Sequence, residues 1–117
     1  MAARYRGVGL MLAASLLAGC GEEKAEVAEV ASQSALSGKA LFHQHCASCH
    51  KEQGTGQFLE GIPPNVLTRL TKEQVVTLIL YGDPAKPEMP IFEQLTEEQA
   101  KRIADHLWWL KDARLKL

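Results

Sequence analysis

Scarcity narrows this chain first. Three cysteines in 117 residues cannot all pair, so one thiol needs a role of its own. The apolar run from Val8 to Ala18 has only eleven residues. As a helix it would span ~16 Å against a hydrocarbon core of ~30 Å, which makes a permanent transmembrane anchor the weaker reading. Neither sign of charge predominates. From Ser37 to Leu117 there are ten Lys plus Arg and ten Asp plus Glu, so no basic face argues for nucleic acid and no acidic block for a strongly basic partner. Strand-like alternation is also missing, which leaves an all-α class.

The N-terminal segment is expected to direct export and then be removed. Arg4 and Arg6 form a basic start, Val8 to Ala18 the apolar stretch, and Leu17-Ala18-Gly19-Cys20 a small-residue cleavage region. That ending resembles a bacterial lipobox, which implies a signal peptide over residues 1–19 and a lipidated Cys20. An ordinary secretory signal with a cysteine nearby is the alternative, and both take the protein out of the cytoplasm. Gly21 stands where some bacteria place an aspartate for inner-membrane retention, which points towards the outer membrane. Residues 20–36 have no aromatic residue and no proline and carry Glu22, Glu23, Glu26 and Glu29 against Lys24, the composition of a solvated tether. Residues 37–117 form the one domain that remains. A core of that size is marginal alone.

Cys46-Ala47-Ser48-Cys49-His50 carries the chemistry. Two cysteines three apart project to one side of a helical turn, where their thiols can add to the two vinyl groups of a porphyrin, and the adjacent imidazole can reach iron. Cys-x-x-Cys also occurs in zinc sites and thioredoxin-like redox motifs. Zinc would want a second ligand pair, and only Cys20 is left. A redox motif would follow a strand, whereas the residues before Cys46 read as helix. Covalent haem c, one per chain, is therefore the expected cofactor. The porphyrin would supply much of the interior that so short a chain lacks, so the haem-free chain is expected to fold poorly.

Lys86-Pro87-Glu88-Met89-Pro90 is the second constellation. Met89 is the only methionine left after signal removal and lies 39 residues beyond His50, between two prolines that stiffen its loop. A thioether is a soft, neutral ligand that favours reduced iron, so a His50 and Met89 pair is expected to ligate the metal and raise its potential. The alternative is an apolar side chain in a Pro-rich loop.

Three main helices are expected. The first runs from about Gly38 through Cys49, with Ser37 or Ser34 as N-cap. Lys51 to Leu67, rich in Gly and Pro, is expected to lack regular structure. Capping boxes at Thr71-Lys72-Glu73-Gln74 and Thr96-Glu97-Glu98-Gln99 open the other two. Gly82 should end the second as a left-handed C-cap, and the third should reach about Ala113. Ala100, Ile103, Ala104, Leu107 and Leu110 share one stripe of the last helix, with Trp108 at its margin and Trp109 among Arg102, Asp105 and Asp112.

From Ser37 to Leu110 the chain resembles a class I, monohaem cytochrome c. Gly38 and Phe42 stand eight and four residues before Cys46, where that family has a glycine and an aromatic; Pro63-Pro64-Asn65 resembles its proline loop, and Met89-Pro90 its axial loop. The resemblance implies a small cytochrome c fold wrapped around haem, with Pro64 supplying the carbonyl that orients the proximal His50. It also implies a one-electron carrier rather than an enzyme, probed by redox donor and acceptor proteins at an exposed haem edge. Tethered through Cys20 on the periplasmic side of a bacterial membrane, the monomeric domain would act as a relay. Two alternatives stay open: an electron-accepting subunit of a periplasmic dehydrogenase or reductase, and a gas-binding or peroxidase protein with a labile Met89. Where the family often has tyrosine this chain has His106, read as a packing residue with an alternative iron-ligand or pH-sensitive role. His43 and His45 are expected to be exposed.

Overall fold

A computed structural model describes Ser32 and residues 35–116. The expected signal peptide, the lipidation site Cys20, nearly all of the tether and the alternative cap Ser34 lie outside the described residues. Helices dominate in the order α1 (Gly38–His45), α2 (Ala47–His50), α3 (Lys72–Tyr81) and α4 (Glu97–Leu115). The all-α expectation holds, with α1, α3 and α4 as the main helices. Among the described residues no helix is long and apolar enough to cross a membrane.

Local chemistry sets the helix ends. The Ser37 hydroxyl accepts from the Ala40 amide at 3.2 Å and opens α1. Thr71 and Gln74 exchange hydrogen bonds at the start of α3, and Thr96 and Gln99 do the same for α4. Each such cap is worth about 1 kcal/mol. Reciprocal bonding also explains how Gln99 can be buried without loss.

Four expectations are corrected. The first helix does not run unbroken to Cys49: it is interrupted at Cys46, whose φ of −118° is stretched although its backbone stays right-handed, and α2 starts behind it. The 51–67 segment is not irregular throughout. It holds two 3-10 turns, Phe58–Glu60 and Asn65–Leu67, and a tongue closed by antiparallel pairing of Gln57 with Ile62. Gly82 ends α3 at φ 75° but ψ −178°, outside the left-handed helical region. α4 continues two residues further, to Leu115, where the Lys116 amide closes it on the Ala113 carbonyl at 3.4 Å.

The core forms where α4 crosses α1 and α3. Leu41 and Phe42 of α1, Val75 and Ile79 of α3, and Ala100, Ile103, Ala104 and Leu107 of α4 are buried together. Leu110, placed on the same stripe by periodicity, is only half-buried. Gly38 makes the α1–α4 crossing possible: a Cβ there would collide with the Arg102 carbonyl oxygen and lie 3.3 Å from the His106 Cβ. The crossing is braced by Arg102, which donates to the Leu36 carbonyl at 2.9 Å.

Candidate haem site

Helix α1 ends at Cys46, whose amide donates to the Phe42 carbonyl at 2.8 Å, and the chain then turns tightly so that the His50 amide reaches back to Cys46 at 2.9 Å. Cys46 is buried and Cys49 exposed. Burial, with the neighbouring Cys49 charge second, pushes the Cys46 thiol up to about 12. Lys51 follows at φ 63°, the only non-glycine residue at positive φ among those described, and swings the chain away from the motif.

The tongue is pinned to this turn. Gln57 donates its side-chain amide to the Ser48 and Cys49 carbonyls at 3.1 and 2.9 Å, and the Gly56 amide donates to the His50 carbonyl at 2.9 Å. A Cβ on Gly56, at φ +69°, would press on the Pro63 carbonyl group. This packing delivers the Pro63 oxygen to His50 Nδ1, at 3.2 Å. A carbonyl only accepts, so Nδ1 holds the proton and Nε2 keeps its lone pair for a metal. Burial lowers the pKa of His50, opposed by this hydrogen bond.

The orienting carbonyl is thus that of Pro63, not Pro64. Proline at 64 holds the residue before it extended, and the Gln57–Ile62 pairing then aims that residue's carbonyl inward. Pro64 instead caps the turn Asn65–Leu67 and lines the cavity.

Met89 arrives from the other side of the sequence on a braced loop. The Asp83 carboxylate accepts from the Ala85 amide at 2.9 Å and pairs with Lys86 at 2.7 Å, the Met89 amide donates to the Lys86 carbonyl at 3.1 Å, and Phe92 ties the loop's end to Ile79 at 3.0 Å. The Lys86 contact holds the Asp83 carboxyl below its ordinary pKa.

These segments enclose a cavity of about 410 Å³, within the ~300–1,000 Å³ usual for ligand sites. Cys46, His50, Pro64 and Met89 all line it, with apolar walls from Phe42, Ile79 and Leu107 among others. Asn65, also in the wall, has a buried side-chain oxygen with no protein partner. One imidazole nitrogen, one thioether, a thiol at the edge and apolar walls match the needs of a haem: the residues fit the group. Cys49 is not among the lining residues, and no three His, Cys, Asp or Glu side chains cluster as a metal site among the described residues.

The other histidines stand apart. His106 does not line the cavity; it packs edge-on against Phe42 at 5.4 Å, as a helix-packing residue should. His43 is exposed and 3.0 Å from Glu52. His45 corrects the expectation of exposure, being half-buried against Phe92 with ring centroids 6.0 Å apart. Sequence reasoning gave no role to Gly56 or Gln57 and preferred Pro64 to Pro63: Gly56 and Pro63 act through backbone groups, and Gln57 through a side-chain amide whose partners are backbone carbonyls, so none leaves a side-chain pattern.

Comparison with known proteins follows the same line. The family model described as cytochrome C oxidase, cbb3-type, subunit III matches residues 33–107. Cytochrome c55X of Pseudomonas aeruginosa is 33% identical over 67 residues, 57% of this chain. The match spans about half, 56%, of that relative's length. No solved structure matches.

Proposed function

The chain belongs to the family described as cytochrome C oxidase, cbb3-type, subunit III, and we propose that it is a one-electron relay with iron held between His50 and Met89 on the outer side of a bacterial membrane. It is a c-type cytochrome, with haem c bound covalently, and its activity is electron transfer.

When bound, the haem supplies a one-electron iron couple. Cys46 and Cys49 would hold the ring by thioethers, and His50 Nε2 and the Met89 sulfur would both be ligands to its iron. An iron so held by two protein ligands would offer substrate no ready place, which favours a carrier over an enzyme. Pro63 keeps the His50 proton on Nδ1 and makes the imidazole a stronger donor. Leu107, Ile79 and Phe42 exclude water, and the braced 83–92 loop holds the thioether in place.

The observation that carries this reading is that His50 and Met89, 39 residues apart, line one cavity with Cys46. It is tested by the weak far-red absorption band that reports sulfur bonded to ferric haem iron. Met89→Ala should abolish the band and lower the potential; a band that survives refutes the ligand assignment.

Tethering through Cys20 is supported by the lipobox-like Leu17-Ala18-Gly19-Cys20 and the polar 20–36 segment. Labelled fatty acid should enter the full-length protein and fail to enter Cys20→Ser, which should be released from membranes into the periplasmic fraction. The description of the matched family as an oxidase subunit favours a second reading, a dedicated cytochrome subunit of a larger oxidoreductase. Purification in mild detergent decides between them, since a subunit leaves the column with its complex and a free relay leaves alone.

A further inference from the structure

Trp109 is 62% exposed on the outer face of α4, where a charged side chain would serve solubility better. Its indole nevertheless has a defined place. It stacks on His106, with centroids 5.7 Å apart and planes 14° from parallel. His106 in turn meets Phe42 edge-on, with centroids 5.4 Å apart and planes at 63°. Phe42 is 1% exposed and forms part of the cavity wall. Three rings therefore run in contact from solvent to the cavity, two from neighbouring turns of α4 and one from α1.

Packing accounts for only part of this row. Phe42 and His106 fill the helix crossing, but Trp109 adds an exposed ring that the core does not need. Electron tunnelling depends on electronic coupling, which is stronger across groups in van der Waals contact than across an empty gap. Burial, with Lys39 second, lowers the His106 pKa, which favours the uncharged ring.

Resting on the haem reading above, we propose that Trp109, His106 and Phe42 form a lateral electron path, giving the haem an outlet on the α1–α4 face to a one-electron-accepting redox protein seated at Trp109. One electron leaves ferrous iron and one reaches the acceptor. The rings mediate the tunnelling and are neither oxidised nor reduced, and no proton moves.

The test uses the haem-loaded protein with Asp112→Cys carrying a ruthenium polypyridyl label one turn from Trp109. After a laser flash, methyl viologen takes one electron from the excited ruthenium(II), and the ruthenium(III) so formed takes one from ferrous haem. Trp109→Leu and His106→Leu should each slow haem oxidation severalfold, and His106→Phe, which keeps the ring contacts, should restore the rate. With the label at Glu60→Cys instead, Trp109→Leu should leave the rate unchanged. A second readout is independent of transfer: Trp109→Leu should remove the ring-current shift from the His106 proton resonances. Unchanged rates from the Asp112 position, or equal slowing from both positions, overturn the path. Trp109→Leu removes an exposed ring, so it decides the matter even if His106→Leu fails to fold. Failure of ferrous haem to form in the parent protein would instead refute the haem reading.

Discussion

His50 Nδ1 lies 3.2 Å from the Pro63 carbonyl oxygen, and that oxygen is held in place by a glycine with no room for a side chain. At Gly56, φ is +69° and a Cβ would meet Ile62 and Pro63 backbone atoms at 2.5–2.7 Å.

Gly56→Ala should therefore push the carbonyl away from the imidazole. Losing the hydrogen bond makes His50 a weaker donor, which favours ferrous iron. The expected outcome is a higher reduction potential, read by spectroelectrochemical titration, together with lower stability from the forced positive φ. A potential equal to or below that of the parent protein would count against the role given to Pro63.

Gly38→Ala tests the helix crossing. Its methyl collides with the Arg102 backbone, and the far end of a flexible side chain is not there to yield. Overpacking of this kind costs about 1–3 kcal/mol. Thermal unfolding of the haem-loaded protein should show a clearly lower midpoint, with α1 separating from α4.

Acid should weaken the fold through His45 and His106. Burial lowers the pKa of both rings below the ordinary 6.5, so the unfolded chain binds protons more readily than the folded one. Stability from these groups is complete above 6.5 and is lost as pH falls from there through the lowered folded values. The thermal midpoint should drop between about pH 7 and about pH 5, and His45→Phe should flatten that profile. An unchanged slope in the variant would show that His45 does not contribute.

Lys111 ties α4 to the cavity wall. Its ammonium donates to the Thr68 carbonyl at 2.8 Å and lies 4.6 Å from the Trp108 ring centroid. Lys111→Met keeps the aliphatic stem but loses the hydrogen bond and cation–π contact, for about 1–2 kcal/mol. Denaturant titration should show the smaller midpoint, while Lys111→Arg should recover most of it.

Much of the site was legible in advance because its reactive atoms belong to rare side chains. Cys46, Cys49 and His50 are contiguous, Met89 stands between prolines, and the capping boxes at Thr71 and Thr96 announce two helices through side-chain chemistry alone. Periodicity also placed Ala100, Ile103, Ala104 and Leu107 on the buried face of α4. Where reading went astray, the deciding forces were backbone or long-range ones. Pro63 replaced Pro64 because a tongue closed between Gln57 and Ile62 aims its carbonyl. His45 was drawn inward by Phe92, a residue 47 positions later.

What the sequence determined by itself is the chemistry on offer: paired thiols, an imidazole and a thioether, with helix starts written into local hydrogen-bonding patterns. Only the tertiary structure decided which of these groups share one cavity, which carbonyl faces His50 and which rings touch. Side-chain identity is encoded one residue at a time, whereas backbone direction and ring contact follow from close packing of segments far apart in the chain.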